Sequence, residues 1–181
     1  MKRRTLFSLA AIVVLVVGGW VLVPKLVRAH VDGLIQASVG KPLPAFSLRD
    51  TAGREWSDTT LRGKRVVLHF FRSRCHSCDL EAPAIRELEQ RLPTDVELLH
   101  VMTDAVLEFP ADLTAQTIAG KKFTRPVLMA DAKFVDAFHH VDWSNVTPIT
   151  YVVDARGTVA YGLRGSQTVA SIEAALAATA R

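Results

Sequence analysis

The only two cysteines of the chain, Cys75 and Cys78, stand three positions apart, and the residues on either side limit the fold that can hold them. Before them, Arg65-Val-Val-Leu-His-Phe-Phe71 is a β-branched and aromatic run suited to a strand buried on both faces. After them, Asp79 to Leu92 carries Ile85, Leu88 and Leu92 at helical spacing. A strand, a short turn and a helix must therefore meet at the pair. Bridging two residues this close shuts almost no loop, so the pair is not a structural staple. The bland alternative is two incidental thiols; the placement argues for reactivity. The first backbone N–H groups of a helix lack internal partners and carry partial positive charge, which favours a thiolate at Cys75. Arg72, Arg74 and His76 act in the same direction if they face the sulfur. Cys78, one turn further in, is expected to be less exposed and to resolve a mixed disulfide formed at Cys75.

The pattern downstream keeps alternating strand and helix. Val96 to Met102 predicts a second buried strand, and Ala111 to Gly120 a helix ending at glycine. Arg125 to Met129 predicts a third strand, followed by a short helix from Asp131 to His139. Ile149 to Val153 and Thr158 to Leu163 flank the turn cluster Asp154-Ala-Arg-Gly157 and read as a β-hairpin. Ser171 to Ala178 closes with an alanine-rich helix. This order implies a layered α/β domain, a central mixed sheet with helices on its faces.

The N-terminus has a different character. Thr5 to Pro24 contains no charge, and the eighteen residues from Leu6 to Val23 are almost wholly apolar. As a helix they rise about 27 Å, close to the ~30 Å hydrocarbon core of a bilayer. The expected organisation is a transmembrane anchor (or uncleaved signal) over residues 1–25, a tether over 26–40 and the folded domain over 41–181. A cleaved secretory signal is the second reading, although Val27-Arg28-Ala29 makes a poor cleavage site. Lys2, Arg3 and Arg4 before the span, against Lys25 and Arg28 after it, favour a cytoplasmic N-terminus. The domain is thus expected on the periplasmic or outer side of the cytoplasmic membrane, where disulfides persist. The net charge of +4 does not point to nucleic acid. Residues 1–40 hold five of the 22 basic and one of the 18 acidic residues, leaving 17 of each from Lys41 onward. A phosphate-tracking domain needs a surplus of cations on its folded part.

Three further features cluster around the pair. Pro83 falls inside the predicted helix, where it should kink the axis. Glu81 stands three residues after Cys78 on the same helical face, as a functional acid or as an acid favoured near a helix N-terminus. Thr147-Pro148 enters a predicted strand, where a proline often marks a special backbone such as a cis bond, or else an edge strand. A zinc site would need two more ligands. His69, His100, His139 and His140 are available, but none forms the second spaced pair of structural zinc, and no metal or other cofactor is expected. His139-His140 reads as a surface pair at a helix end. Trp143 reads as a core or loop aromatic, with a place at the border of the site as the alternative.

The runs Gly40-Lys-Pro-Leu-Pro-Ala-Phe-Ser-Leu48, Leu61-Arg-Gly-Lys-Arg-Val-Val-Leu68, Phe70 through Pro83, and Thr147-Pro-Ile-Thr-Tyr-Val-Val-Asp154 together resemble the TlpA/ResA-like branch of membrane-anchored thioredoxins. The resemblance spans Gly40 to the C-terminus and implies a thioredoxin-like fold. It also implies that Cys75 is the nucleophile, Cys78 the resolving thiol, Pro148 a cis-proline beside the disulfide with Thr147, and Glu81 an acid handling a proton near Cys78. The family mostly reduces disulfides of exported proteins, including apocytochromes awaiting haem, with electrons from a membrane thiol donor. Arg74 replaces the aromatic residue common before the first cysteine, and His76-Ser77 lacks the common proline; both bear on the direction of electron flow. The expected function is a protein-disulfide oxidoreductase working as a reductant on protein thiol or disulfide substrates. The alternative is a non-catalytic redox-sensing or partner-binding module. A peroxidase of related fold is disfavoured, because Arg72 occupies the threonine position of the usual Thr-x-x-Cys context.

Overall fold

A computed structural model describes residues 2–138 and 146–179, with side chains from Val16 onward. His139, His140 and Trp143 lie outside the described residues. Two compact units are present, residues 1–33 and 34–181. The first is the greater part of a helix, α1 (Lys2–Gln36), which continues through Pro24 and over much of the stretch read as a tether. Val16, Val17, Trp20, Val21, Leu22 and Val23 on it are exposed. Among the described residues no helix is long and apolar enough to cross a membrane. Most of the expected span, residues 6–15, lies outside the residues whose side chains are described.

The second unit is built on a five-stranded sheet. Its strands are β3 (Arg65–Phe71), β4 (Val96–Met102), β5 (Val127–Met129), β6 (Ile149–Val153) and β7 (Val159–Arg164), in the spatial order β5-β4-β3-β6-β7. β3, β4 and β5 run parallel, β6 runs antiparallel to β3, and β7 antiparallel to β6. A separate two-stranded sheet precedes it, β1 (Ser47–Arg49) and β2 (Glu55–Ser57). Three-residue strands give too little alternation to be read from sequence. The hairpin depends instead on Asp50, whose carboxylate accepts from the backbone of Ala52 and Arg54 and from Trp56 Nε1.

β3 shows why the central strands are apolar on both faces. On one side Val67 packs with Leu98 and Val152, under Ile85 and Leu88 of α2 (His76–Arg91) and Ile172 and Leu176 of α5 (Val169–Ala178). On the other, Phe70 meets Tyr151 and the rings of Phe134 and Phe138 from α4 (Ala132–Phe138). α3 (Ala111–Lys121) completes the set. Helix α5 starts from a reciprocal cap between Thr168 and Ser171. The expected hairpin turn is closed by Asp154, whose side chain accepts from Arg156 N and Thr158 N, with Gly157 at φ 82° supplying the left-handed residue. The mixed sheet with helices on both faces is the expected thioredoxin-like architecture, and it brings the end of β3, the start of α2 and the entry to β6 to one edge.

Candidate redox site

Strand β3 ends at Phe71, and four residues later the chain enters α2. The turn between them is held from beneath. Ser73 is fully buried; its N–H donates to Asp104 Oδ1 at 2.7 Å and its hydroxyl to Asp104 Oδ2 at 2.5 Å. Thr114 of α3 donates to the same carboxylate at 2.8 Å, and Thr117 exchanges a hydroxyl bond with Ser73 at 2.6 Å. Arg74 follows at φ 52°, a left-handed conformation that costs a residue with a Cβ about 1 kcal/mol or more. The Asp104 cluster over-determines the turn and so holds Arg74 there.

Cys75 occupies the N-cap of α2 and is joined to Cys78 by a disulfide of 2.04 Å. Its sulfur accepts from Cys78 N at 3.2 Å and from Thr147 Oγ1 at 3.3 Å. The Thr147 carbonyl oxygen stands 3.5 Å from the same sulfur, placed to accept from a Cys75 thiol once the disulfide opens. The Thr147–Pro148 peptide is cis, and Pro148 is buried. Cys75 is 5% exposed and Cys78 1%, so approach to the disulfide is through Cys75. The turn is also gripped from the β7–α5 loop, where Ser166 Oγ donates to Ser77 O at 2.9 Å.

The structure brings Cys75, Cys78, Thr147 and Pro148 into one contact set. It does not aim both expected arginines at the sulfur: Arg72 donates to the carbonyls of Ser73 and Arg74, and the Arg74 guanidinium lies over the Phe109 ring at 5.8 Å. His76 is exposed. Glu81 points away from solvent, 2% exposed, with Oε1 accepting from Gln167 N at 2.8 Å and Oε2 3.1 Å from His69 Nε2.

Behind Glu81 lies a group of residues that the sequence reading did not assemble. His69 Nδ1 is 3.1 Å from His100 Nδ1, and His100 Nε2 is 2.8 Å from Glu89 Oε1. Glu89 further accepts from Thr124 N, Thr124 Oγ1 and Arg125 N. Burial alone would raise the Glu89 pKa, but the bonds from His100, Thr124 and Arg125 outweigh it and hold the group at about 2. Burial pushes His100 down, the Glu89 bond partly opposes it, and the balance lies at about 4. The rings of Phe71 and Phe123 close over both histidines, Phe123 stacking on His100 at 4.0 Å. The legible sign was a histidine at the fifth position of each of two apolar seven-residue strands, β3 and β4. The pairing His69↔His100 joins them.

The sequence profile of the AhpC/TSA family matches residues 39–162. Thioredoxin-like protein YneN of Bacillus subtilis is 26% identical over 159 residues, covering 88% of each chain. Thiol-disulfide oxidoreductase ResA of Bacillus cereus is 26% identical over 179 residues, covering 95% of this chain and 94% of its own. Among solved structures, a thioredoxin-family thiol:disulfide interchange protein from Chlorobium tepidum superposes with a TM-score of 0.62 at 20% identity, over 76% of this chain and 94% of that one. StoA from Bacillus subtilis does so with a TM-score of 0.59 at 18% identity, over 74% and 97%. These superpositions establish the thioredoxin-like fold.

Proposed function

The chain belongs to the AhpC/TSA family, and from that premise we propose that it is a thiol–disulfide oxidoreductase that reduces disulfides in exported proteins, with Cys75 as nucleophile and Cys78 as resolving thiol. One observation carries the reading: the Cys75 sulfur sits at the start of α2 with two donors aimed at it, Cys78 N–H and Thr147 Oγ1–H, beside the cis Pro148. In the reduced protein these donors and the helix dipole stabilise a Cys75 thiolate. The thiolate attacks one sulfur of a substrate disulfide, forming a mixed disulfide and releasing the substrate's other sulfur as a thiolate. Cys78 then attacks Cys75, freeing the reduced substrate and leaving the bond seen here. A dithiol on a membrane carrier reverses the cycle, restoring the two thiols at the cost of its own oxidation. Thr147 and Pro148 border the sulfur and bind the substrate backbone, and Glu81 handles the proton of Cys78.

Anchoring by residues 1–25 and a domain facing the periplasm or cell exterior belong to the same proposal. The uncharged run Thr5–Pro24 supports them, together with the exposed Trp20 and Leu22 of α1. The test is turnover by the full chain, supplied with a reductant, on a disulfide-bonded Cys-x-x-Cys-His peptide of cytochrome type. Activity that disappears in Cys75→Ser is expected. Turnover that survives Cys75→Ser overturns the assignment, and one-state binding of a partner without turnover would favour the redox-sensing module instead.

A further inference from the structure

The chain of side chains Glu81, His69, His100 and Glu89 contains three contacts at hydrogen-bond distance: 3.1 Å, 3.1 Å and 2.8 Å. Each needs one proton between its two heavy atoms, because carboxylate oxygens and bare imidazole nitrogens only accept. Two neutral histidines supply one N–H apiece. Three contacts therefore require a third proton held somewhere in the chain.

Its place follows from the far end. Glu89 is saturated by donors from His100, Thr124 and Arg125, and it is ionised throughout the neutral range. His100 is fully buried beside Arg125 and is neutral there. Its single proton must lie on Nε2, directed at Glu89, so its Nδ1 accepts. His69 must then donate through Nδ1, which leaves Nε2 facing Glu81 Oε2 with no proton of its own. The third proton belongs to that last contact, on Glu81 or on His69 Nε2. The groups facing this pair fit the assignment. Gln167 N donates to the other carboxylate oxygen, which suits either form. Thr150 of β6, in register with His69, has a buried hydroxyl with no hydrogen-bond partner among the described residues, so it neither supplies nor takes the proton. Phe71 and Phe123 keep water from the rings.

We propose that the proton Glu81 hands to Cys78 Sγ when the disulfide opens is held, in the oxidised protein, between Glu81 and His69 and is fixed there by His100 and Glu89. This rests on the redox reading of the cysteine pair. Residues three apart on a helix have Cβ atoms about 5–6 Å apart, which puts Glu81 next to Cys78. Phe71, packed against Cys78, stacks on His69. In the step, a thiolate of a dithiol reductant bonds to Cys75 Sγ and the Cys75–Cys78 bond breaks. Cys78 leaves with the electron pair and takes the stored proton. The reductant's second thiolate then releases Cys75 and carries away the oxidised dithiol. His69, His100 and Glu89 are positioning residues: they touch no substrate and decide only where the proton waits.

Two measurements on the full chain in detergent test this. Nitrogen-15 NMR of the oxidised protein at neutral pH, with each imidazole connected through bonds to its own backbone amide, should show His100 protonated at Nε2 alone and His69 protonated at Nδ1. A proton on Nδ1 of His100, or a bare Nδ1 on His69, overturns the proposal without any variant. The second measurement is the rate of disulfide reduction by dithiothreitol, expressed per thiolate, from pH 5 to 8. Glu81→Gln, which cannot release a proton, should be slower by 10-fold or more at every pH. In His100→Leu, His69 is free to donate Nε2–H to an ionised Glu81, and the third proton is no longer required. That variant should be about 10-fold slow at pH 7 and recover toward native as the pH falls. A His100→Leu rate equal to native at pH 7, or lowered by the same factor at all pH values, overturns delivery. Native protein that dithiothreitol fails to reduce overturns the redox reading itself, and leaves the NMR result standing.

Discussion

Two buried polar clusters flank the cysteine turn, and they differ in kind. Under the strand end, Asp104 takes hydrogen bonds from Ser73 N, Ser73 Oγ and Thr114 Oγ1. Behind the helix start, Glu81, His69, His100 and Glu89 run in a line between α2 and the sheet. The two are alike in depth: Asp104 and His100 are both fully buried. Their partners are not alike. Hydroxyls and amides do not titrate in the working range, so the partners of Asp104 hold a shape and move no charge. Imidazoles have two ends, each able to donate or accept, so the other cluster can hold and pass on a proton. Burial makes both clusters costly to break; only partner chemistry lets one of them change state.

The contrast gives predictions of decreasing size. Asp104→Ala strands the Ser73 N–H away from water, takes a charged acceptor from the Ser73 and Thr114 hydroxyls, and should lower unfolding free energy by about 4 kcal/mol, with hydrogen bonds to charged groups contributing about 1.5–3 kcal/mol each. Urea titrations measure the loss, and a loss under about 1 kcal/mol would mean that the turn does not depend on this cluster. The histidine line should show acid sensitivity. His100 has a folded pKa of about 4, below its ordinary 6.5, so between these values the unfolded chain binds a proton that the folded one refuses. Its stabilising share is complete above pH 6.5 and is lost as pH falls to 4, roughly 3 kcal/mol by linkage. Below pH 4.5 Glu89, held at about 2, adds a loss of the same sign. Denaturation midpoints across pH 4 to 7 should flatten in His100→Leu; an unchanged slope there would assign the sensitivity elsewhere. The smallest effect is on the outer face. Thr147→Val removes one donor from the Cys75 sulfur, worth about 1 kcal/mol, and should slow iodoacetamide alkylation of reduced Cys75 about 5-fold near neutral pH. No change would mean that the helix start alone supports the thiolate.

What was legible in the sequence follows the same division. β3 and β4 were readable because Val, Leu and Phe fill both faces of a central strand, and the Asp154–Gly157 turn because its residues close it locally. The β1–β2 hairpin was not, since Leu48 and Trp56 are the only buried side chains of its two strands and its turn is held by one aspartate. At the site, Cys75, Cys78 and Pro148 were marked by spacing and by position at element boundaries. Glu81 was marked by helical spacing, but its partner was not, because His69 approaches from another element. His100 and Glu89 carry no local sign of a joint task. They meet through strand register and helix packing, which separate them from their partners by 31 and 11 positions in the chain. Asp104, Ser73 and Thr114 were hidden for the same reason.

The alignment of β3 with β4 sets His69 beside His100, and Leu68 and Phe70 beside Leu99 and Val101. Because neighbours along a strand face opposite ways, a slip of one step would turn an imidazole into the aliphatic layer and set a leucine against an acid. Neither histidine can therefore be displaced without taking a partner from the other. The geometry of main-chain pairing, more than either side chain, therefore guards the interior acid–base balance.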